Sequence, residues 1–162
     1  MKKILLLIFC SFFFVSNSNA ACDDPLTDGV DYSKCRFSDG QDLQGSYLPN
    51  SNLSFASFVQ VNLDKSIMMN SNLSFGTFPE STFVRANLYE TISIGGNFEK
   101  TNFTNANLTR VDFMGATLIE ANFDNILGFH LVINLLSILL QFNFTNSYSH
   151  ILVLRGCMEL SK

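Results

Sequence analysis

Hydrophobic residues in the middle of this chain recur at every fifth position. Divided into fives from Gln41, the sequence reads QDLQG, SYLPN, SNLSF, ASFVQ, VNLDK and onward to ANFDN, which ends at Asn125. The third position is Leu, Phe or Met in sixteen of the seventeen units, with Ser93 the exception. The first position is Gly, Ala, Ser or Thr in fourteen, and the second is Asn or Asp in ten. A period of five fits neither a helix, at 3.6, nor a simple strand, at 2. It suits a chain that turns a corner every five residues. The large third residue then fills an interior, and the small first residue sits beside it in the corner. The other three face water.

A longer repeat sets the size of the turn. SNLSFASF at Ser51 to Phe58 returns as SNLSFGTF at Ser71 to Phe78, twenty residues on. Four units therefore close one square coil, and 41–125 makes a little over four coils. At a strand spacing of ~4.8 Å that is about 20 Å of solenoid. The register predicts one inner column of Phe58, Phe78 and Phe98, and another of Phe83, Phe103 and Phe123. It also places Asn52 above Asn72, where side chains can form a ladder. Before Gln41 the phase slips by one residue at Gly40. Val30-Asp31-Tyr32 and Cys35-Arg36-Phe37 read as an imperfect first coil. Ser93, between Ile92 and Ile94 and before Gly95-Gly96, predicts a local bulge that turns an isoleucine inward. The alternative is a Ser93 hydroxyl bonded to a neighbouring carbonyl.

The unit resembles that of the pentapeptide-repeat family: a small residue, Asn/Asp, Leu/Phe, Ser/Thr, then any residue. ANLTR (Ala106 to Arg110) and TNFTN (Thr101 to Asn105) match it closely. The resemblance implies an all-β fold, a right-handed quadrilateral β-helix. It also brings one functional precedent, since some family members are acidic, DNA-shaped dimers that occupy DNA gyrase.

Residues 1–20 read as a secretory signal peptide. Lys2 and Lys3 precede an apolar run, Ile4 to Val15, and Ser18-Asn19-Ala20 supplies small residues for cleavage after Ala20. The expected location is periplasmic or secreted. An uncleaved anchor and a lipoprotein with a lipidated Cys22 are the alternatives; the run is short for a span of ~20 residues, and Asn19 stands where a lipobox has Leu. Residues 21–40 then form an N-terminal cap and first coil. Cys22 and Cys35 are the candidate disulfide, which an exported chain permits, with three free thiols as the alternative. Cys157 is then the odd cysteine.

Residues 126–162 break the pattern. Ile126 to Leu140 is strongly apolar, and three readings stand: a capping helix over the open coil, a membrane-associated segment, or a tail foreign to the original gene, as after a frame disruption. A peripheral membrane contact through 126–140 and a dimer through the tail are the associated partner expectations. Ile151 to Leu154 reads as a last strand.

Composition argues against catalysis and nucleic-acid binding. Charged residues are 15% of the chain and the formal net charge is −4; loss of Lys2 and Lys3 takes it to −6. Nucleic-acid binding needs a basic patch, and the pair Lys34 and Arg36 is too small. His130 and His150 both lie in the tail. No triad, metal-ligand spacing or phosphate-binding glycine loop occurs, so no enzyme activity, metal or cofactor is expected. Asn-x-Ser/Thr triplets at Asn52, Asn72, Asn102 and Asn107 follow from the repeat itself. The candidate contact patch is Phe55 and Phe75 at outward fifth positions, with Val59 and Pro79 on the next side. The expected role is structural or protein-binding, toward an unknown protein partner in the cell envelope. Gyrase mimicry is the alternative, disfavoured by the leader and by the lack of acidic rows.

Overall fold

A computed structural model describes Cys22, residues 25–133 and residues 151–154. From Asp42 onward each side of the coil bridges in parallel to the residue twenty positions later: Asn52 to Asn72, Ser57 to Thr77, Asn62 to Thr82, Ile67 to Asn87. Four such sides close each turn. The earliest bridges, Asp31 to Asn52 and Arg36 to Ser57, span 21 residues. The additional residue is taken up in the turn at Ser38 to Gln41, where the Ser38 N–H donates to Gln41 Oε1 at 3.0 Å.

Each corner is a turn with a fixed chemistry. The N–H of most first residues donates back to the carbonyl three residues earlier, as Ala56 does to Leu53 at 3.1 Å, while those of Ser51 and Val61 go to the Ser71 and Ser81 hydroxyls. Every fifth residue from Gly45 to Asn125 has positive φ, including Phe55 at 60°, Lys65 at 58° and Arg85 at 60°. That is the type II turn, whose third residue is left-handed and favours Gly or Asn. Second-position Asn and Asp prepare the corner. Asn62 Oδ1 accepts the Asp64 N–H at 3.0 Å, and Asn107 Oδ1 accepts the Thr109 N–H at 3.1 Å, an Asx turn. The amide also ties the coils together. Asn107 Nδ2 donates to Asn87 Oδ1 at 3.1 Å, and Asn62 Nδ2 to Asp42 Oδ1 at 3.0 Å.

Four inner columns fill the coil. We number the sides from the one that begins at Ser51. Side one stacks Leu53, Leu73, Ser93 and Phe113; side two Phe58, Phe78, Phe98 and Leu118; side three Leu63, Phe83, Phe103 and Phe123; side four Leu48, Met68, Leu88 and Leu108. All are buried. Phe78 and Phe98 stack with centroids 4.8 Å apart, as do Phe103 and Phe123 at 5.2 Å. Small first residues make room for these rings: a Cβ on Gly76 would stand 2.6 Å from Phe78 Cε2.

The bulge expected at Ser93 does not form. Ser93 is itself buried, and Ile92 is 47% exposed. Ile92 keeps the uninterrupted register, bridged to Asn72 on one side and Asp112 on the other. A bulge would have broken two ladder bonds, Leu73 N–H to Ile92 O at 2.7 Å and Ser93 N–H to Asp112 O at 2.8 Å. Retaining them outweighs the loss of one apolar side chain from the core. Phe113, next in that column, does not stack but meets Phe98 edge-on at 86°.

The helix expected after Asn125 is absent from the described residues. Ile126 is buried at a first position, and Leu127 bridges Asn107. The chain then forms strand β2 (Phe129–Ile133), paired in parallel with β1 (Asp112–Phe113). Strand β3 (Ile151–Leu154) pairs in parallel with β2, as Val132 with Val153. Another parallel strand satisfies the open N–H and C=O groups of the preceding coil, which a helix laid across them would not. The remaining tail, with His150 and Cys157, lies outside the described residues, as does the leader.

Candidate functional site

The second, fourth and fifth positions form the outer surface, and its character differs from side to side. The corner column after side two is mixed in charge, with Gln60, Glu80, Lys100 and Glu120, and the one after side three carries only cations and amides, with Lys65, Arg85, Asn105 and Asn125. Gln60 Nε2 donates to Glu80 at 2.9 Å, and Lys100 pairs with Glu99 at 3.8 Å. Glu80 thus stands between an amide and a cation in its column, not in an acidic row. On side four Arg110 is bonded by the Tyr89 hydroxyl and by Glu90, which together raise its already high pKa.

Side one is different. In its four rows from Asn52 onward the second, fourth and fifth residues are Asn52, Ser54, Phe55; Asn72, Ser74, Phe75; Ile92, Ile94, Gly95; and Asp112, Met114, Gly115, of which Ser74 is buried. Asp112 is the sole charge among these, and the first-coil row of the same side, Asp31, Ser33 and an exposed Lys34, adds two more at the N-terminal end. Phe55 and Phe75 are 56% and 52% exposed, and their rings stack at 5.1 Å and 15°. Ile92 and Met114 are exposed as well. The sequence-derived patch is therefore divided. Phe55 and Phe75 are together at one corner, while Val59 and Pro79 are half-buried on side two, beyond the Ser57–Thr77 bridge. Ile92 and Met114 were missed by the sequence reading, although adding twenty to Asn72 and to Ile94 places both on the side that carries the phenylalanines. A second apolar exposure lies on side four, where Tyr47 is exposed above a half-buried Ile67.

At the N-terminal end, Cys22 Sγ lies 2.13 Å from Cys35 Sγ, with the Cα atoms 5.3 Å apart. Tyr32 reinforces this cap. Its hydroxyl donates to Pro25 O at 2.9 Å and accepts the Thr27 N–H at 3.0 Å. Beside it a cleft of about 500 Å³ is lined by Leu26, Arg36, Phe37, Asp39 and Leu43, among others. Among the described residues no group of three or more His, Cys, Asp or Glu side chains is gathered to hold a metal. Likewise no described helix is long and apolar enough to cross a membrane.

The family model for pentapeptide repeats matches residues 40–74 and 96–126, in eight copies. The chain belongs to the pentapeptide-repeat proteins, and its fold is their right-handed quadrilateral β-helix. The intervening stretch holds Ser93 and the TISIG unit, which depart most from the pattern. Solved structures of similar proteins include Rfr23 from the cyanobacterium Cyanothece 51142, at 16% identity over 82% of this chain and 84% of that one, TM-score 0.41. A trypsin-treated variant of QnrB1, a plasmid-mediated fluoroquinolone resistance protein, matches at 16% identity over 76% and 86%, TM-score 0.41. HetL, involved in heterocyst differentiation regulation in Nostoc sp. strain PCC 7120, matches at 14% identity over 67% of this chain, TM-score 0.29. This chain spans 55% of the length of HetL. No match was found among curated proteins.

Proposed function

We propose that this chain is an exported, non-catalytic solenoid that serves in the cell envelope as a structural or protein-binding element. The observation that carries the reading is side one, a regular face with exposed Phe55, Phe75, Ile92 and Met114 and only Asp112 charged from Asn52 onward. Exposed apolar area of this kind marks contact surfaces, and repeat solenoids present such faces on a rigid frame. Export is supported by the basic-apolar-small pattern of residues 1–20 and by the Cys22–Cys35 pair, a bond suited to an oxidising compartment. The same bond occupies the sulfur that a lipid anchor on Cys22 would need. One corner column of mixed sign and one with only cations give little support to gyrase mimicry, which calls for rows of like negative charge.

Cell fractionation with N-terminal sequencing tests export: the expected chain starts at Ala21 and sits outside the cytoplasm. An unprocessed cytoplasmic chain overturns the location. Cross-linking in the intact envelope, followed by capture of the wild type and of a Phe55→Ser, Phe75→Ser variant, tests binding. A partner captured equally by both would remove side one from the function.

A further inference from the structure

Side one carries a pattern of large and small residues that reverses halfway along the solenoid, and it does so in two columns at once. Down the corner column the residues run Phe55, Phe75, Gly95, Gly115. Down the neighbouring fourth-position column they run Ser54, Ser74, Ile94, Met114. Where the corner is bulky the face is small, and where the face is bulky the corner is bare. We propose that side one is a self-association surface that takes a second copy of this chain, with the two solenoid axes antiparallel.

The geometry follows from the twenty-residue register. A twofold axis lying in the face, perpendicular to the solenoid and midway between the Phe75 and Gly95 rows, swaps the first row with the fourth and the second with the third. Phe55 of one copy then lies over Gly115 of the other, and Ser54 meets Met114, Ser74 meets Ile94. A Cβ on Gly115 would find no atom nearer than Gly95 N at 4.0 Å, so this corner is open to receive a ring. The Phe75 ring already leans toward Gly95, which is toward the axis; the two copies' Phe75 rings meet there. Residues that meet across such an axis do so reciprocally, as an isologous contact requires.

Charge agrees with shape. Asp112, the one charge in these four rows, is placed opposite Asn52 and not opposite its own copy, while Asp31 and Lys34 lie one coil beyond them. An amide can donate to a carboxylate, whereas two facing carboxylates would repel. A parallel arrangement, about an axis along the solenoid, would instead set the phenylalanine corner against the opposite edge of the face and leave the open Gly115 corner uncovered. The face is small: four rows at ~4.8 Å give on the order of 300 Å² per copy, below the usual size of a stable interface. Association is therefore concentration-dependent, in the micromolar range or weaker. This inference rests on the binding reading of side one but is independent of export.

The test uses the full chain as purified from its host. Sedimentation velocity over about 5 to 500 µM is expected to show a monomer–dimer equilibrium. Phe55→Ser with Phe75→Ser should weaken it at least tenfold, while Val84→Ser on side three leaves it unchanged; circular dichroism confirms that both variants stay folded. Orientation is read by cysteine cross-linking in a Cys157→Ser background. A Ser54→Cys chain mixed with a Met114→Cys chain should form disulfide-linked dimers, and neither should do so alone. A chain monomeric at 500 µM overturns the proposal, as does a Ser54→Cys chain that links to itself as readily as to Met114→Cys. Sedimentation with neutral phosphatidylcholine vesicles by a chain that stays monomeric also overturns it and assigns the face to lipid. Loss of an envelope partner by the double variant, with no self-association of the wild type, overturns it while leaving the binding role intact.

Discussion

The ring of Phe75 lies over Gly95 in the next coil: a Cβ on Gly95 would stand 2.7 Å from Phe75 Cε1. Gly95 also has φ of +64°, and Gly115, one coil further, has φ of +70° with no such ring above it. The two glycines separate a backbone effect from a contact effect. Gly115→Ala should cost about 1 kcal/mol, the penalty of a left-handed L-residue. Gly95→Ala should cost about 0.5–1 kcal/mol more, because the exposed ring must move aside and give up its packing. Urea denaturation of both variants measures the difference, and near-ultraviolet circular dichroism should show the displaced Phe75 only for Gly95→Ala. Equal losses would mean that the ring contact contributes nothing.

The same left-handed corner makes an opposite prediction elsewhere. Lys65 occupies a fifth position at φ 58° with its side chain exposed. Glycine there removes a strain of roughly 1–2 kcal/mol and adds about 0.5–1 kcal/mol of lost chain freedom on folding. Lys65→Gly should therefore stabilise the protein slightly, by about 0.5 kcal/mol, seen as a higher urea midpoint with unchanged slope. Asn70→Gly, at the same φ of 58°, should gain less, since Asn already tolerates this region.

The inside of the coil was legible from sequence because two of five positions report burial directly. Columns such as Phe58, Phe78 and Phe98 follow from adding twenty. What failed did so for identifiable reasons. Side-chain polarity alone points to a bulge at Ser93, whereas the ladder bonds on both flanks, which leave no mark in the sequence, hold the regular register. The coil beyond Asn125 was hidden because its next unit inverts the volumes: Ile126 is large at the small position, and Gly128 is small at the large one, yet both are buried. The candidate surface was half legible. Phe55 and Phe75 stand out as aromatic residues at outward positions, but Ile92 and Met114 join them only when units four apart are laid side by side. Positive φ at every corner leaves little trace in the sequence, since Lys, Arg, Glu and Phe all occupy it.

The N-terminal cap should depend on its cross-link. Cys22 is exposed and Cys35 buried, and the bond closes a loop over the start of the core. Reduction should lower stability by roughly 2–3 kcal/mol through the freed unfolded chain. Alkylation of the unreduced protein should leave both cysteines unlabelled by intact mass, and alkylation after reduction should add two labels at these positions. Tyr32→Phe removes the hydroxyl that donates to Pro25 O and accepts from Thr27. It should destabilise the cap by about 1 kcal/mol without changing the alkylation pattern.

Two serines at first positions should respond in opposite directions to the same substitution. Ser71 Oγ donates to Leu48 O at 2.6 Å in the preceding coil and accepts the Ser51 N–H at 3.2 Å. Thr101 and Ser81 donate in the same way, to Phe78 O and Phe58 O. Ser66 sits at an equivalent position on side four, where the matching acceptor would be Leu43 O. That carbonyl is already engaged by the Ser46 N–H at 3.1 Å and by Ser46 Oγ at 2.6 Å. Ser66 Oγ is thereby the buried side-chain polar atom without a hydrogen-bond partner among the described residues. The next two residues in its column are Ala86 and Ala106, so a methyl group fits this corner. Ser71→Ala removes a donor and an acceptor and should cost about 1–2 kcal/mol. Ser66→Ala relieves an unpaired buried hydroxyl and should stabilise by about 1 kcal/mol. Urea denaturation of the two variants in parallel decides it: a loss of stability in Ser66→Ala comparable to that in Ser71→Ala would show that the Ser66 hydroxyl is bonded in solution.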